Sequence, residues 1–149
     1  MRSSERHPVV WLWGLVLGAT VIGSVIGGEK TVCSLAIGVP ILLGGLGLAS
    51  VAWAHLQSRG GRLATGGPYA FSRHPFYAGL LAMLTGTVIA LRSVVGLAML
   101  VASVGVTVVR AVIEERELLD RFGAEYRAYR DRTPFLVGIP RHETKGNRA

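Results

Sequence analysis

Residues 76–113 read FYAGLLAMLTGTVIALRSVVGLAMLVASVGVTVVRAVI, two apolar runs separated only by Arg92 and Ser93. A bilayer core is crossed by about 20 apolar residues in a helix. A connection of two residues leaves room only for a tight turn between antiparallel helices. The sequence therefore predicts a transmembrane helical hairpin here, whose outer ends lie at the same membrane face.

The rest of the chain extends this pattern. Hydrophobic residues make up 50% of the 149 residues, and the length suggests one domain, 1–149. Continuous apolar runs of this length are too long for barrel strands. We predict an all-α integral membrane protein with four transmembrane helices and a C-terminal cytoplasmic amphipathic helix from Glu114 to about Asp131. The predicted spans are 9–27, 32–54, 76–91 and 94–113. The third is shorter than the usual length of about 20 residues.

The charges predict the orientation. Net charge is +7, and the arginines cluster in the link before residue 76 and beyond residue 113, whereas the opposite loops hold only Glu29, Lys30 and Arg92. This asymmetry predicts a multi-pass protein of the cell membrane with both termini cytoplasmic. The same placement suits membrane lipid headgroups and argues against nucleic acid as a partner. Span one is long for a signal peptide and lacks a clear cleavage site.

Small residues recur within the spans. Gly14 with Gly18 and Gly23 with Gly27 form GxxxG pairs, which let helix backbones approach closely. These pairs predict tight packing within one protomer or, alternatively, a homodimer through span one. The single cysteine excludes an intrachain disulfide, and the histidines show no metal-ligand spacing with it, so we expect no metal site. Pro40 should kink span two, and the tail after Ile139 should be disordered.

Two polar clusters flank the hairpin. The first is Gly67-Pro-Tyr-Ala-Phe-Ser-Arg-His-Pro-Phe-Tyr-Ala-Gly79, and the second runs from Glu114 to Tyr129. Pro75 suits the first turn of a helix, whose exposed N–H groups favour anionic ligand groups. The alternative is an interfacial belt in which the aromatic residues anchor the chain and Arg73 snorkels to the interface.

The second cluster contains one acid without a helical partner. Glu114 has Arg110 at i−4, but Glu115 has no arginine at i−4 or i+4. A carboxylate at this depth is costly unless it is paired, so Glu115 is where a cationic ligand group would bind. Tyr126 and Tyr129, at helical spacing after Phe122, form either a hydrophobic stripe or the mouth of a pocket.

Together these motifs resemble the isoprenylcysteine carboxyl methyltransferase family, which is related to the phospholipid methyltransferases. The resemblance rests on Gly67-Pro-Tyr-x-x-x-Arg-His-Pro-x-Tyr-x-Gly79, the apolar hairpin, Glu114-Glu115, Phe122-Gly-x-Glu-Tyr-x-x-Tyr129 and Arg132-x-Pro134. It covers residues 66–140, about half of the chain. It implies an integral membrane methyltransferase that uses S-adenosylmethionine at the cytoplasmic face, with a tunnel that opens to lipid for the acceptor.

The resemblance also assigns roles. The implied cofactor-binding residues are Tyr69, His74, Pro75, Tyr77, Gly79, Glu114, Glu115, Tyr126 and Tyr129. Arg73 and Arg132 are the candidates for orienting an acceptor carboxylate. The expected acceptor is a lipophilic molecule such as a prenylated or acylated carboxylate, because about three quarters of the chain would lie in or beside lipid. Spans one and two carry no motif that would identify it.

Three alternatives remain open from the sequence. A phospholipid N-methyltransferase would methylate an amine, which must lose a proton, and His74 is the nearby imidazole. A membrane reductase would bind a nicotinamide cofactor, with Arg59 and Arg62 as phosphate contacts. The third alternative is a non-catalytic membrane protein.

Overall fold

The computed structural model describes residues 6–26 and 30–136, with side chains described from Trp11 onward. Four α-helices follow one another: α1 (Arg6–Ile26), α2 (Val32–Ser58), α3 (Pro75–Leu91) and α4 (Val94–Arg132). A 3₁₀ turn at Gly67–Ala70 precedes α3, and there is no strand in these ranges. The predicted all-helical class is thus confirmed for the part of the chain that the structure covers.

The helices have the surface of a membrane protein. By length and composition, α2 and α4 can cross a membrane, whereas Trp11–Ile26 and Pro75–Leu91 are shorter apolar helices. Large apolar side chains lie on the outside, including Leu15 at 69% exposure and Val101 at 67%. In water such a surface would promote association, but it matches a lipid environment.

Helices α1 and α4 form one antiparallel pair through small polar residues. The hydroxyls of Thr20 and Ser103, both fully buried, lie 2.8 Å apart. Further along, Ser93 donates to the Gly23 carbonyl at 3.0 Å. Hydrogen bonds of this kind join helices where the surroundings offer no water.

Helices α2 and α3 form the second antiparallel pair, which packs backbone against backbone. A Cβ atom added at Gly79 would lie 2.6 Å from the Ala49 nitrogen, and one at Gly86 would lie 2.6 Å from the Gly38 carbonyl oxygen. Ordinary van der Waals contact needs roughly 3.4 Å or more. Glycine is therefore required at these positions, which fix where the first turn of α3 lies against α2.

The predicted role of the span-one glycines is corrected in part. Among the described residues, no atom outside their own stretch of helix lies within 4 Å of a Cβ added at Gly14 or Gly18, so these glycines do not make the tight contact there that the sequence predicted. Gly23 does pack against α4, where Val95 lies 3.1 Å from its added Cβ. Gly27 lies outside the described residues, and the homodimer stays a prediction.

The polar stretch after Ile113 first continues α4, and a kink at Gly123 then separates its last helical residues from the rest. This helix has 39 residues and is interrupted only by Gly123, whose φ of 53° and ψ of −117° are not helical. The hairpin turn between α3 and α4 is confirmed: Arg92 adopts the left-handed conformation, and Ser93 caps α4 by accepting from the Gly96 N–H at 3.0 Å. Helix α2 continues past Pro40. The predicted disordered tail lies beyond residue 136, outside the described ranges.

Candidate functional site

The two polar clusters meet through an ion pair. The Arg73 guanidinium donates to a Glu115 carboxylate oxygen at 2.5 Å, and the His74 Nε2 atom lies 3.4 Å from the same oxygen. All three side chains are at most 15% exposed. The prediction that Glu115 lacks a partner is therefore wrong, because its partner lies 42 residues earlier and sequence spacing within one helix could not reveal it.

Glu114 points to different neighbours. The Tyr77 hydroxyl, on the first turn of α3, donates to its carboxylate at 2.7 Å. This bond replaces the pairing with Arg110 that i,i+4 spacing predicted. Neighbouring glutamates on α4 thus bond to separate groups, Glu115 to the Arg73 guanidinium and Glu114 to a tyrosine hydroxyl.

The polar end of α4 supports the segment before α3. The Tyr129 hydroxyl donates to the Tyr69 carbonyl at 2.7 Å and also lies 3.3 Å from that of Ser72. Tyr126 is 1% exposed, and its hydroxyl forms no hydrogen bond of good geometry with the described residues, although Arg73 and Glu115 lie close enough to affect its pKa. Tyr129 thus holds the segment before α3 in place, and Tyr126 lies beside the Arg73–Glu115 ion pair.

The residues after α4 close the cluster from the other side. The Arg73 N–H donates to the Pro134 carbonyl at 2.9 Å. The Phe135 ring lies 4.9 Å from the His74 ring and 5.4 Å from the Arg73 guanidinium carbon. The ion pair is thereby shielded from water on several sides.

Burial determines the protonation of the groups in the cluster. It lowers the pKa of His74 below its ordinary value, although the nearby Glu114 and Glu115 carboxylates act in the opposite direction. Burial, assisted by Glu114, raises the pKa of Tyr69 to about 12, and burial followed by Glu115 raises that of Tyr126 to about 12. At neutral pH the imidazole is therefore uncharged, and both phenols keep their protons.

A cavity of about 430 Å³ opens beside this cluster, within the size range of small-molecule sites. Its lining combines five aromatic rings with charged groups from α4. The lining residues are Trp13, Trp53, Leu56, Tyr69, Arg73, His74, Phe76, Tyr77, Arg110, Glu114 and Glu117. A second cavity of about 120 Å³ lies under the loop that contains Arg62 and shares Leu56, Tyr69, Arg73 and Glu114 with the first.

Not every residue implied by the resemblance lines the cavity of about 430 Å³. Pro75 occupies the first turn of α3, and Gly79 faces the α2 backbone. Glu115 and Tyr126 line neither cavity, and Tyr129 lines only the smaller one. Of the nine implied cofactor-binding residues, four line this cavity: Tyr69, His74, Tyr77 and Glu114.

Arg132 is exposed at the end of α4, and its Nε donates to the Ala128 carbonyl of the same helix at 3.0 Å. The structure does not bring this guanidinium to the cluster.

Several lining residues were not predicted as site residues, among them Trp13 on α1 and Trp53 on α2. A signal existed, because tryptophans near the ends of transmembrane spans mark the membrane interface. That signal does not say whether a ring faces lipid or a cavity. In the described part of the chain, no three His, Cys, Asp or Glu side chains are arranged to hold a metal ion.

Comparison with known proteins adds a family. A model of the phospholipid methyltransferases matches residues 46–125, more than half of the chain. This range includes α3, the ion pair and Glu114, and it excludes α1. No curated protein and no solved structure matches the chain.

Proposed function

We propose a reaction for this chain, which belongs to the phospholipid methyltransferase family and is a membrane methyltransferase. The reaction is methyl transfer from S-adenosylmethionine to a lipophilic acceptor whose reactive end reaches the cytoplasmic interface. The family and the predicted resemblance agree on methyl transfer. The cofactor and the acceptor are the parts that we propose.

The observation that carries the proposal is the position of Glu114 in an aromatic-lined cavity. Its carboxylate accepts from the Tyr77 hydroxyl, and Glu114 lines the same cavity as Tyr69 and Trp53. S-adenosylmethionine carries an ammonium, a carboxylate, a sulfonium and an adenine. A carboxylate suits the ammonium, the N–H groups at the start of α3 suit the carboxylate, and aromatic faces suit the adenine and the sulfonium.

The bound cofactor supplies an electrophilic methyl group, and the protein supplies position. Effective in-line displacement requires donor and acceptor to be held in a near-attack geometry. The Arg73–Glu115 ion pair ties the start of α3 to α4, so it fixes Tyr77 relative to Glu114. We therefore assign Glu115 a positioning role, and we assign Glu114 the direct contact.

The same proposal includes four membrane crossings with both termini cytoplasmic. Antiparallel pairing of α1 with α4 and of α2 with α3 supports alternating crossings. The cavity lies at the end of the bundle that carries Arg59, Arg62 and Arg121, where the positive-inside rule places the cytoplasm. A water-soluble cofactor reaches the cavity from that side.

A prenylated or acylated carboxylate is the first candidate acceptor. Of the two predicted arginines, Arg73 lines the cavity but is held by Glu115, and Arg132 is remote. Arg110 also lines the cavity, and we propose that it orients an acceptor carboxylate, which needs no general base.

A phospholipid amine is the second candidate, and one observation favours it. His74 lines the cavity, and burial lowers its pKa, so its imidazole is uncharged at neutral pH. An uncharged imidazole is able to take the proton that an amine loses. The name of the family agrees with this alternative.

Purified protein in lipid nanodiscs decides between them. Radiolabelled S-adenosylmethionine is offered with a prenylated thiol carboxylate, its unprenylated parent, or phosphatidylethanolamine. We expect turnover of the prenylated carboxylate and little of its parent. Activity only on phosphatidylethanolamine selects the second candidate. Equal turnover of the unprenylated parent contradicts a lipophilic acceptor, and no turnover of any of them contradicts the proposal.

A further inference from the structure

Four aromatic rings from three helices form a continuous row along the cavity of about 430 Å³. Trp13 of α1 meets Tyr77 at 5.6 Å between ring centroids with an interplanar angle of 75°. Tyr77 meets Phe76 at 5.8 Å, and Phe76 meets Trp53 of α2 at 5.7 Å. All four side chains line the cavity. The row gives the cavity an apolar wall beside the charged groups of α4.

The two ends of this ring row are held differently. The Trp13 indole N–H donates to the hydroxyl of Thr107 at 3.2 Å, and the Thr107 residue is 1% exposed. Its ring also rests edge-on against Tyr77. Trp53, by contrast, is 51% exposed. One end of the row is fixed to α4, and the other end opens to the surroundings of the protein.

The cavity lining thus contains both charged groups and an apolar wall, which suit different parts of a ligand. Glu114 and Arg110 present charge to the polar parts of a ligand. The rings present apolar surface, which gains free energy in proportion to the apolar area that it covers. Trp13 also lies outside the residues that match the family. It is therefore a feature of this chain that the family match does not account for.

We propose that Trp13 is a specificity-determining residue whose indole, fixed by Thr107 and Tyr77, forms the wall against which the apolar chain of the acceptor lies. The chain enters at the open end of the row, past Trp53, between α1 and α2. This inference rests on the proposed methyl transfer to a lipophilic acceptor. It adds the surface by which the protein distinguishes acceptors with apolar tails of different length.

The test uses full-length protein in nanodiscs and acceptors that differ only in their chain. The probes are geranyl, farnesyl and geranylgeranyl thioether carboxylates, or phosphatidylethanolamines of three acyl lengths if the amine is the substrate. W13A should raise the KM for the best acceptor roughly tenfold, the size expected for lost contact with about two methylene groups. It should also shift the preference toward bulkier chains. The affinity for S-adenosylhomocysteine should stay within twofold.

Milder variants test the fixing of the indole. W13F and Thr107→Val each remove the same hydrogen bond while they keep an apolar side chain in place. Each should weaken the discrimination between chain lengths, and the double variant should do no more than either single variant, because both lose one shared interaction. Trp11→Ala is the matched control, since Trp11 lies on the same helix at 70% exposure. It should leave the preference unchanged.

The outcomes distinguish this inference from the proposed function. Turnover by the wild-type protein, with the same chain preference in W13A and W13F, overturns the role of Trp13 alone. A change in cofactor affinity equal to the change in acceptor KM also overturns it, because a general structural defect then explains both. Failure of the wild-type protein to methylate any acceptor contradicts the proposed function itself.

Discussion

Replacing Glu115 with glutamine removes the negative charge that pairs with the largely buried Arg73 guanidinium. The two side chains are 14% and 15% exposed, and their atoms lie 2.5 Å apart. In E115Q the guanidinium keeps its charge but loses this counterion, and the Phe135 ring still lies 5.4 Å from the guanidinium carbon. We therefore expect loss of fold stability first, with any loss of ligand binding following from it.

The size of the effect follows from the burial of the pair. Breaking a buried ion pair by removing one partner costs about 3–5 kcal/mol, and the residual exposure places this pair at the lower end, about 3 kcal/mol. Removing both charges costs less than the sum of the single changes, since no uncompensated charge is left. The double variant R73Q/E115Q should therefore show a favourable coupling of about 2 kcal/mol in a double-mutant cycle.

Unfolding by sodium dodecyl sulfate in mixed micelles, followed by circular dichroism, measures these free energies. Glu125→Gln on the same helix is the control, because Glu125 is exposed and the change of charge is identical. Its unfolding free energy should stay within about 0.5 kcal/mol of the wild-type value. If E115Q unfolds at the same detergent fraction as this control, the ion pair does not hold α3 to α4 and the positioning role fails.

Three further predictions follow from the fold. Gly86→Ala should destabilise the protein by about 1–3 kcal/mol because its methyl group meets the α2 backbone, whereas Gly47→Ala, with no atom within 4 Å, should not; similar unfolding midpoints for the two would contradict the packing. Burial lowers the folded-state pKa of His74, so the unfolded state binds more protons at mildly acidic pH. The unfolding free energy should therefore rise with pH as the pH approaches 6.5 from below. H74Q should flatten this rise, and an unchanged slope in H74Q would refute the prediction. In a background without the native cysteine, Lys30→Cys should react with an impermeant reagent on intact cells and Ser58→Cys should not, and equal reactivity would contradict the topology.

The sequence predicted where the helices begin and end, but it did not predict which side of each helix packs against a neighbour. Apolar runs bounded by Arg92-Ser93 and by Pro75 determine where helices begin and end, because the length of a run and the chemistry of turns are local properties. Whether a side chain turns inward depends on how helices pair. This pairing gives Glu115 a distant partner and leaves Gly14 without a close contact from another helix in the described part of the chain.

The candidate site, too, could be predicted from the sequence only in part. The hairpin brings the two polar clusters together, as the sequence predicted, since this needs only an antiparallel turn. The sequence could not show that Glu114 lines the cavity while Glu115 does not, because adjacent residues on a helix differ by about 100° in direction. It could not show that Trp13 joins the wall either, because that depends on the pairing of α1 with α4.

Calorimetric titration of the purified protein with S-adenosylhomocysteine tests the central claim most directly. We expect the wild-type protein to bind it and to ignore NADPH. Glu114→Gln should weaken binding roughly 30- to 150-fold, which corresponds to one charged contact of about 2–3 kcal/mol. Glu117→Gln, which changes another cavity-lining acid, should weaken it less. Absence of heat with S-adenosylhomocysteine, or unchanged affinity in a folded E114Q variant, would contradict the account.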